Sequence, residues 1–429
     1  MYGNYRVIKE LDSGSYGRVY KVKSLSEGDG QEYALKEFYK PEDYSGIPSP
    51  SEISLLFSFS CNKIVKALEF FREEDRYYLL MELGQDNMIN HICDIFESEK
   101  ETQRDFLQGD LVKSYCRDVA CAVDYMHSGG FAHCDIKPAN CLLFGKEVKL
   151  CDLGFSFLIK SNLVYPITPA FSPPETLHED VESILEKRQL SFLSYFTQEK
   201  DYRAVDVWSL AVTFAFFLTG RYLFGNVNKE ETLNNMITYI RYPVNYLTQN
   251  GVPEEWIPLL LKMLRPCSQE RITIKQVLQD NIFTSLDREA VHTFHKLEPL
   301  LVPALAACPL IDQGRDFIYS FFAQNKPGSC MALSTLNAFY YVCSQRPELK
   351  EKANLLAFAC LLLFSKVYAR YVVDESEFVG EHTLEEIVDM EWQVMQTLNK
   401  KIFFSTLASE LGEEKTKYSY LFQKEYTGN

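Results

Sequence analysis

The residues with chemistry to offer fall in four short stretches. His133-Cys134-Asp135-Ile136-Lys137-Pro138-Ala139-Asn140 places a carboxylate, an ammonium and an amide close together, and Asp152-Leu153-Gly154 begins twelve residues beyond Asn140. Ala34-Leu35-Lys36 lies on a strand-like stretch, and Leu11, Gly14, Gly17 and Val19 mark a strand, a turn and a second strand. Carboxylate and amide oxygens are the donors a hard divalent cation prefers. A carboxylate beside a hydroxyl can take its proton, and glycine lets backbone come close to another group. Taken singly, each stretch has a plain structural reading: a turn for the glycines, a turn cap for Asp152, a solvated strand residue for Lys36.

The elements that must position these residues are readable from periodicity. Short Val-, Tyr- and Leu-rich runs predict strands at Tyr5–Leu11, Gly17–Ser24, Glu32–Phe38 and Tyr77–Leu83, with a turn over Ser26–Gln31 and one helix carrying Glu52. After residue 105 the pattern is helical, notably Leu111–His127 and Val205–Thr219, interrupted by short strands and tight loops over Phe131–Phe157. From Arg288 onward only helical patterns occur, around Val291–Ala307, Asp312–Gln324, Ser329–Gln345, Leu349–Tyr371, Leu384–Leu398 and Phe404–Leu411. The chain therefore divides into residues 1–285, with a strand-rich small lobe over 1–83 and a helical large lobe over 84–285, and an all-α block over 286–429.

Composition narrows the function classes. The 429 residues hold 44 Lys+Arg against 59 Asp+Glu, a formal charge of −15, with 46% apolar and 24% charged residues. That is a packed globular balance. Its acidity argues against nucleic acid as a partner and against anionic membranes. Met1–Glu10 lacks an apolar signal core, and apolar stretches such as Leu355–Phe364 are too short to span a bilayer. The 12 cysteines show no zinc spacing and read as reduced thiols. The expectation is a monomer inside a cell, cytoplasmic or nuclear, in a host cell if the source is viral.

In this order and context, the four stretches resemble the protein-kinase signature set. The resemblance extends through Pro173-Pro174-Glu175, Asp206-Val207-Trp208-Ser209 and Arg271. It implies an α+β bilobal protein-kinase fold, ATP and Mg²⁺ as cofactors, and a protein substrate with a Ser/Thr acceptor. In such a kinase Asp135 accepts the substrate hydroxyl proton, Lys137 neutralises the transferring phosphate and marks Ser/Thr specificity, and Asn140 and Asp152 hold the metal. Lys36 contacts the α/β-phosphates and pairs with Glu52. Leu11, Gly14, Gly17, Val19 and Ala34 surround the nucleotide. Met81 lies at the back of the adenine pocket, and Glu82 and Leu83 offer it backbone hydrogen bonds. Thr168 bonds the catalytic Asp and Lys, Glu175 and Arg271 form a buried ion pair, and Asp206 braces the catalytic loop.

Four departures qualify the resemblance. Asp12 replaces the usual first loop glycine, which brings negative charge near the phosphates. Leu153 replaces the usual Phe at small cost. Cys134 replaces the Arg that receives an activation-loop phosphate, and Asn162-Leu163 offers no phospho-acceptor. Activity independent of activation-loop phosphorylation is therefore expected. Leu177–Tyr202 reads as an insertion, a docking element or a surface helix.

Gly46-Ile47-Pro48-Ser49-Pro50-Ser51-Glu52-Ile53-Ser54-Leu55-Leu56 resembles the cyclin-binding helix of cyclin-dependent kinases. Ser13-Gly14-Ser15-Tyr16-Gly17 resembles their loop with adjacent hydroxyl residues, which are phosphorylated to inhibit. Ala353–Lys366 and His382–Glu391 resemble two helices of a cyclin box. This implies that the block over 286–429 is a cyclin-like all-α domain, fused to the kinase as its activator, with Lys366 and Glu391 paired and facing the Glu52 helix. Two other readings stay open: a pseudokinase scaffold built for partner binding, and a generic helical bundle whose apolar stripes need no partner.

Overall fold

Alternating Val, Tyr and Leu residues at the start of the chain build an antiparallel sheet. In the computed structural model it comprises β1 (Tyr5–Gly14), β2 (Gly17–Ser24), β3 (Glu32–Phe38), β4 (Ala67–Glu73) and β5 (Arg76–Met81), in the order β1-β2-β3-β5-β4. The structure describes residues 1–14, 17–26, 30–39, 50–74, 76–158, 168–177, 195, 201–225, 229–286, 309–325, 329–368 and 382–400. One helix, α1 (Pro50–Ser58), carries Glu52 across this sheet. Strand β4 went unread in the sequence. It has a bulge between Ala67 and Glu69 and no clean two-residue alternation of burial, so the usual signal is blurred.

The large lobe begins with the short strand β6 (Asp86–Asn87) and the helices α2 (Met88–Glu97), α3 (Lys100–Gln108) and α4 (Asp110–Ser128). The expected run of short strands follows as β7 (Phe131–Ala132), β8 (Cys141–Phe144), β9 (Glu147–Leu150) and β10 (Phe157–Leu158). Pairing of β6 with β8 and of β8 with β9 closes a small sheet beneath the cleft between the lobes. Behind it runs α5 (Tyr202–Thr219), capped by Asp201 and ended by Gly220 in the left-handed region. By length and composition α5 is apolar enough to cross a membrane, which corrects the reading that no stretch approaches that length. With 89% of it buried, it serves as the central core helix of this lobe. Helices α6 (Lys229–Arg241), α7 (Pro243–Gln249), α8 (Ile257–Met263) and α9 (Ile274–Leu278) complete the lobe.

The all-α block contains α10 (Pro309–Asn325), α11 (Ser329–Gln345), α12 (Ala353–Tyr368) and α13 (Leu384–Thr397). These match four of the expected helical patterns. The other two, around Val291–Ala307 and Phe404–Leu411, lie outside the described residues, as does nearly all of Leu177–Tyr202. The boundary near 285 abuts the end of the large lobe's described residues. From Leu355 to Phe364, α12 is at most 2% exposed, so it is a core helix wrapped on all sides. Packing is tight enough that a Cβ at Gly314 of α10 would lie 2.6 Å from the Phe339 ring and 2.8 Å from the Ala353 carbonyl oxygen. Thr383 and Glu386 close a reciprocal capping box at the start of α13.

This block packs on the small lobe. Helix α12 lies against α1 and touches β10. Trp392 of α13 meets Phe70 of β4 and Tyr77 of β5 at ring-centroid distances of 5.4 and 5.7 Å. Asp389 forms an ion pair with Arg72, and the Lys400 ammonium sits 4.9 Å from the centre of the Phe57 ring at the end of α1. Every cysteine whose side chain is described is a free thiol.

Candidate active site

Two clusters of charge are assembled, one from each lobe. In the small lobe, Lys36 Nζ donates to Glu52 Oε1 at 2.7 Å and lies 3.5 Å from Asp152 Oδ1. Burial alone would pull the Lys36 pKa down, but Glu52 and Asp152 together push it above its ordinary value, so the ammonium stays charged. Burial would likewise raise the Asp152 pKa, and Lys36 holds the carboxyl below its ordinary range instead. Register explains why these groups converge. Lys36 pairs with Leu79 and Ala34 with Met81, so all four side chains share one face of the sheet.

In the large lobe, Lys137 Nζ donates to Asp135 Oδ2 at 2.7 Å and to Thr168 Oγ1 at 3.1 Å, while Thr168 Oγ1 donates to Asp135 Oδ1 at 2.8 Å. Asn140 Nδ2 donates to the Asp135 carbonyl and to Oδ2 at 2.8 and 2.9 Å. The loop is braced from below. Asp206 accepts the backbone N–H of His133 at 2.9 Å and of Cys134 at 2.8 Å, and it meets His127 Nε2 at 2.8 Å. His133 Nδ1 accepts from the Asp135 amide, so its Nε2 is the donor to the Cys151 carbonyl at 3.1 Å. That bond ties the loop to the stretch carrying Asp152. Both Cys134 (φ 65°) and Asp152 (φ 61°) sit in the left-handed region, a strain tolerated where surrounding bonds over-determine the backbone.

The donor set suits Mg²⁺. Asn140 gives both amide hydrogens to Asp135, which leaves its Oδ1 as the atom for a cation, and Asp152 is kept anionic. Among the described residues no group of three or more His, Cys, Asp or Glu forms a metal cage. A two-residue oxygen site of this kind is completed by phosphates and water.

Several expectations change in detail. A Cβ at Gly17 would come within 2.1 Å of the Glu37 carbonyl oxygen, so this glycine is required by the approach of β3, whereas Gly14 has open space around it. Glu82 can serve adenine only through its carbonyl. Its N–H donates to the Lys66 carbonyl at 3.1 Å, and its carboxylate is held by Lys149 Nζ at 2.7 and 2.8 Å. Leu83 is half-buried beside it, Val19 is half-buried on β2, and Leu11 lies at a β1 bulge with 42% exposure. The Asp12 carboxylate folds back to accept the Ser13 N–H at 2.8 Å. Leu153 is fully buried in the main core, and Cys134 packs with Ala132, Tyr202 and Val205. Ser15, Tyr16, Asn162 and Leu163 lie outside the described residues.

The pair expected between Lys366 and Glu391 falls partly outside the described residues, which do not include the Lys366 side chain. Glu391 is fully buried, with Tyr77 and Cys360 within electrostatic reach. The ion pair and ring contacts that α13 makes with β4 and β5 come from Asp389 and Trp392. Sequence reading also missed Phe38, whose ring centre is 4.9 Å from the Lys36 ammonium. The two-residue strand period from Lys36 was the signal that could have found it.

A strand lysine tied to a helix glutamate, opposite a loop presenting Asp, Lys and Asn, defines the protein-kinase class of phosphotransferase fold. Residues 5–283 match the protein kinase domain family, and the chain belongs to it. It is 27% identical over 289 residues to serine/threonine-protein kinase dkf-1 of Caenorhabditis elegans, covering 64% of this chain and 36% of that protein. It is 29% identical over 233 residues to serine/threonine-protein kinase SSN3 of Coccidioides immitis, covering 51% and 45%. The chain thus spans less than half the length of these curated relatives.

Proposed function

We propose that the chain is an ATP-dependent Ser/Thr protein kinase resembling cyclin-dependent kinases, with its helical block acting as a covalently attached, cyclin-like activator. The observation that carries the activity is the bonding of Lys137 to both Asp135 and Thr168, which poises a base and a phosphate-neutralising cation at one point. Asp135 orients the acceptor hydroxyl and takes its proton as the oxygen bonds to the γ-phosphorus and the bond to ADP breaks. Lys137 offsets charge on the transferring group, and Lys36, fixed by Glu52, holds the α/β-phosphates. Mg²⁺ held by Asn140 and Asp152 would supply further neutralisation of phosphate charge.

Support for the activator role is the packing of α12 on α1 and of α13 on β4 and β5. Tethering supplies such a partner at an effective concentration of order millimolar, which favours the conformation with Glu52 on Lys36 at all times. A pseudokinase scaffold would not need the Lys36, Glu52, Asp135, Asn140 and Asp152 set in bonded register. Incubation with Mg·ATP and a generic protein substrate tests the reading: phosphoserine and phosphothreonine should form and be lost in Asp135→Asn. Nucleotide binding without transfer would favour the scaffold.

A further inference from the structure

Between the helical block and the phosphate-binding lysine runs an unbroken line of aromatic rings. Trp392 of α13 stands edge-on to Phe70 of β4, with centroids 5.4 Å apart and planes at 62°. Phe70 meets Phe38 of β3 at 6.4 Å and 89°. The Lys36 ammonium then lies over the Phe38 ring at 4.9 Å. Phe38 and Phe70, the middle members of the line, are 4% and 1% exposed. Tyr77 flanks it, stacked on Phe70 at 5.8 Å and tilted against Trp392 at 5.7 Å. Arg72, paired with Asp389, covers Tyr77 from outside at 5.8 Å from its ring centre.

The ring quadrupole favours edge-to-face and offset contacts between neighbouring rings, and a ring face attracts an ammonium. Packed chains of this kind carry coupling when their members have discrete arrangements.

We propose that Trp392 is a positioning residue for ATP binding, acting through Phe70 and Phe38 on the Lys36 ammonium. This rests on the reading that the helical block governs the active site, and it gives that block a second route besides α1. The route runs through the sheet and ends on the lysine, whereas the α1 route ends on Glu52. Loss of Trp392 should therefore show first in the handling of the nucleotide.

The test is a double-mutant cycle in the full chain, reading KM for Mg·ATP and kcat separately, with thermal melting as a check on folding. Trp392→Ala and Phe38→Leu should each raise KM for ATP roughly three- to tenfold, with a smaller fall in kcat. The double variant should be no worse than the more damaging single change, and Trp392→Phe should recover most of the loss. If Trp392→Ala fails to fold, Trp392→Leu, which keeps apolar bulk without a ring, carries the same cycle. Multiplying effects in the double variant would overturn the aromatic route and leave the activator reading standing. Wild-type kinetics in Trp392→Ala would also overturn the route. If Trp392→Ala combined with Asp389→Lys still behaves as wild type, the activator reading falls with it.

Discussion

Two buried ion pairs, one in each lobe, are built in opposite ways. Arg271 grips Glu175 through two bonds of 2.6 and 2.8 Å, with both side chains fully buried. Its remaining donors go to the carbonyls of Arg265, Ala204 and Pro266, and its guanidinium lies over the Trp208 ring at 5.0 Å. Lys36 holds Glu52 by one bond of 2.7 Å, and Glu52 accepts from no other group among the described residues. The first pair is saturated by its surroundings and acts as a bolt between segments of one lobe. The second joins a sheet to a helix, α1, against which α12 of the helical block packs. If the helical block acts as the proposed activator, the geometry of this pair should respond to what presses on α1 and β4.

The difference can be broken or sharpened experimentally. Asp135→Asn removes the proton acceptor and should cut kcat by about 10²–10⁴-fold, measured by initial rates on a Ser/Thr substrate with folding unchanged by circular dichroism. Arg271→Met strands a buried carboxylate and should lower unfolding stability by roughly 3–5 kcal/mol in denaturant titration. Glu52→Gln should do the reverse: little change in melting, but a loss of roughly ten- to hundredfold in kcat/KM, the worth of a hydrogen bond to a charged group. If Arg271→Met and Glu52→Gln affect stability and kinetics alike, the contrast between the pairs is wrong. Asp389→Lys removes a half-exposed ion pair with Arg72 and should change kcat/KM by only about two- to threefold. Phosphatase treatment should cause no loss of activity, because a buried Cys134 stands where the resemblance places a phosphate-receiving arginine. A phosphatase-treated sample that lost its activity would contradict this.

The large-lobe pair was legible in the sequence, and so were the catalytic loop and its brace at Asp206. These residues lie in short local motifs whose types and order are dictated by the chemistry they perform. The helices α10 to α13 were legible as elements because their apolar positions repeat along each helix. How those helices meet the small lobe was not. Asp389 and Trp392 had no role assigned from the sequence; they acquire one only where β4 places Arg72 and Phe70 opposite them, and β4 itself was hidden by its bulge. Glu391 was expected to face the kinase as half of an ion pair; it is fully buried, and the side chain of its expected partner Lys366 lies outside the described residues. Contacts between distant segments are set by tertiary packing, and periodicity along one segment does not encode the partner.

The account turns on whether the helical block holds α1 in place. Amide hydrogen exchange across Pro50–Ser58 in the full chain, compared with Trp392→Ala combined with Asp389→Lys, measures this directly. Faster exchange in α1 with unchanged protection in α5 is the predicted result. Equal protection of α1 in both proteins would contradict it.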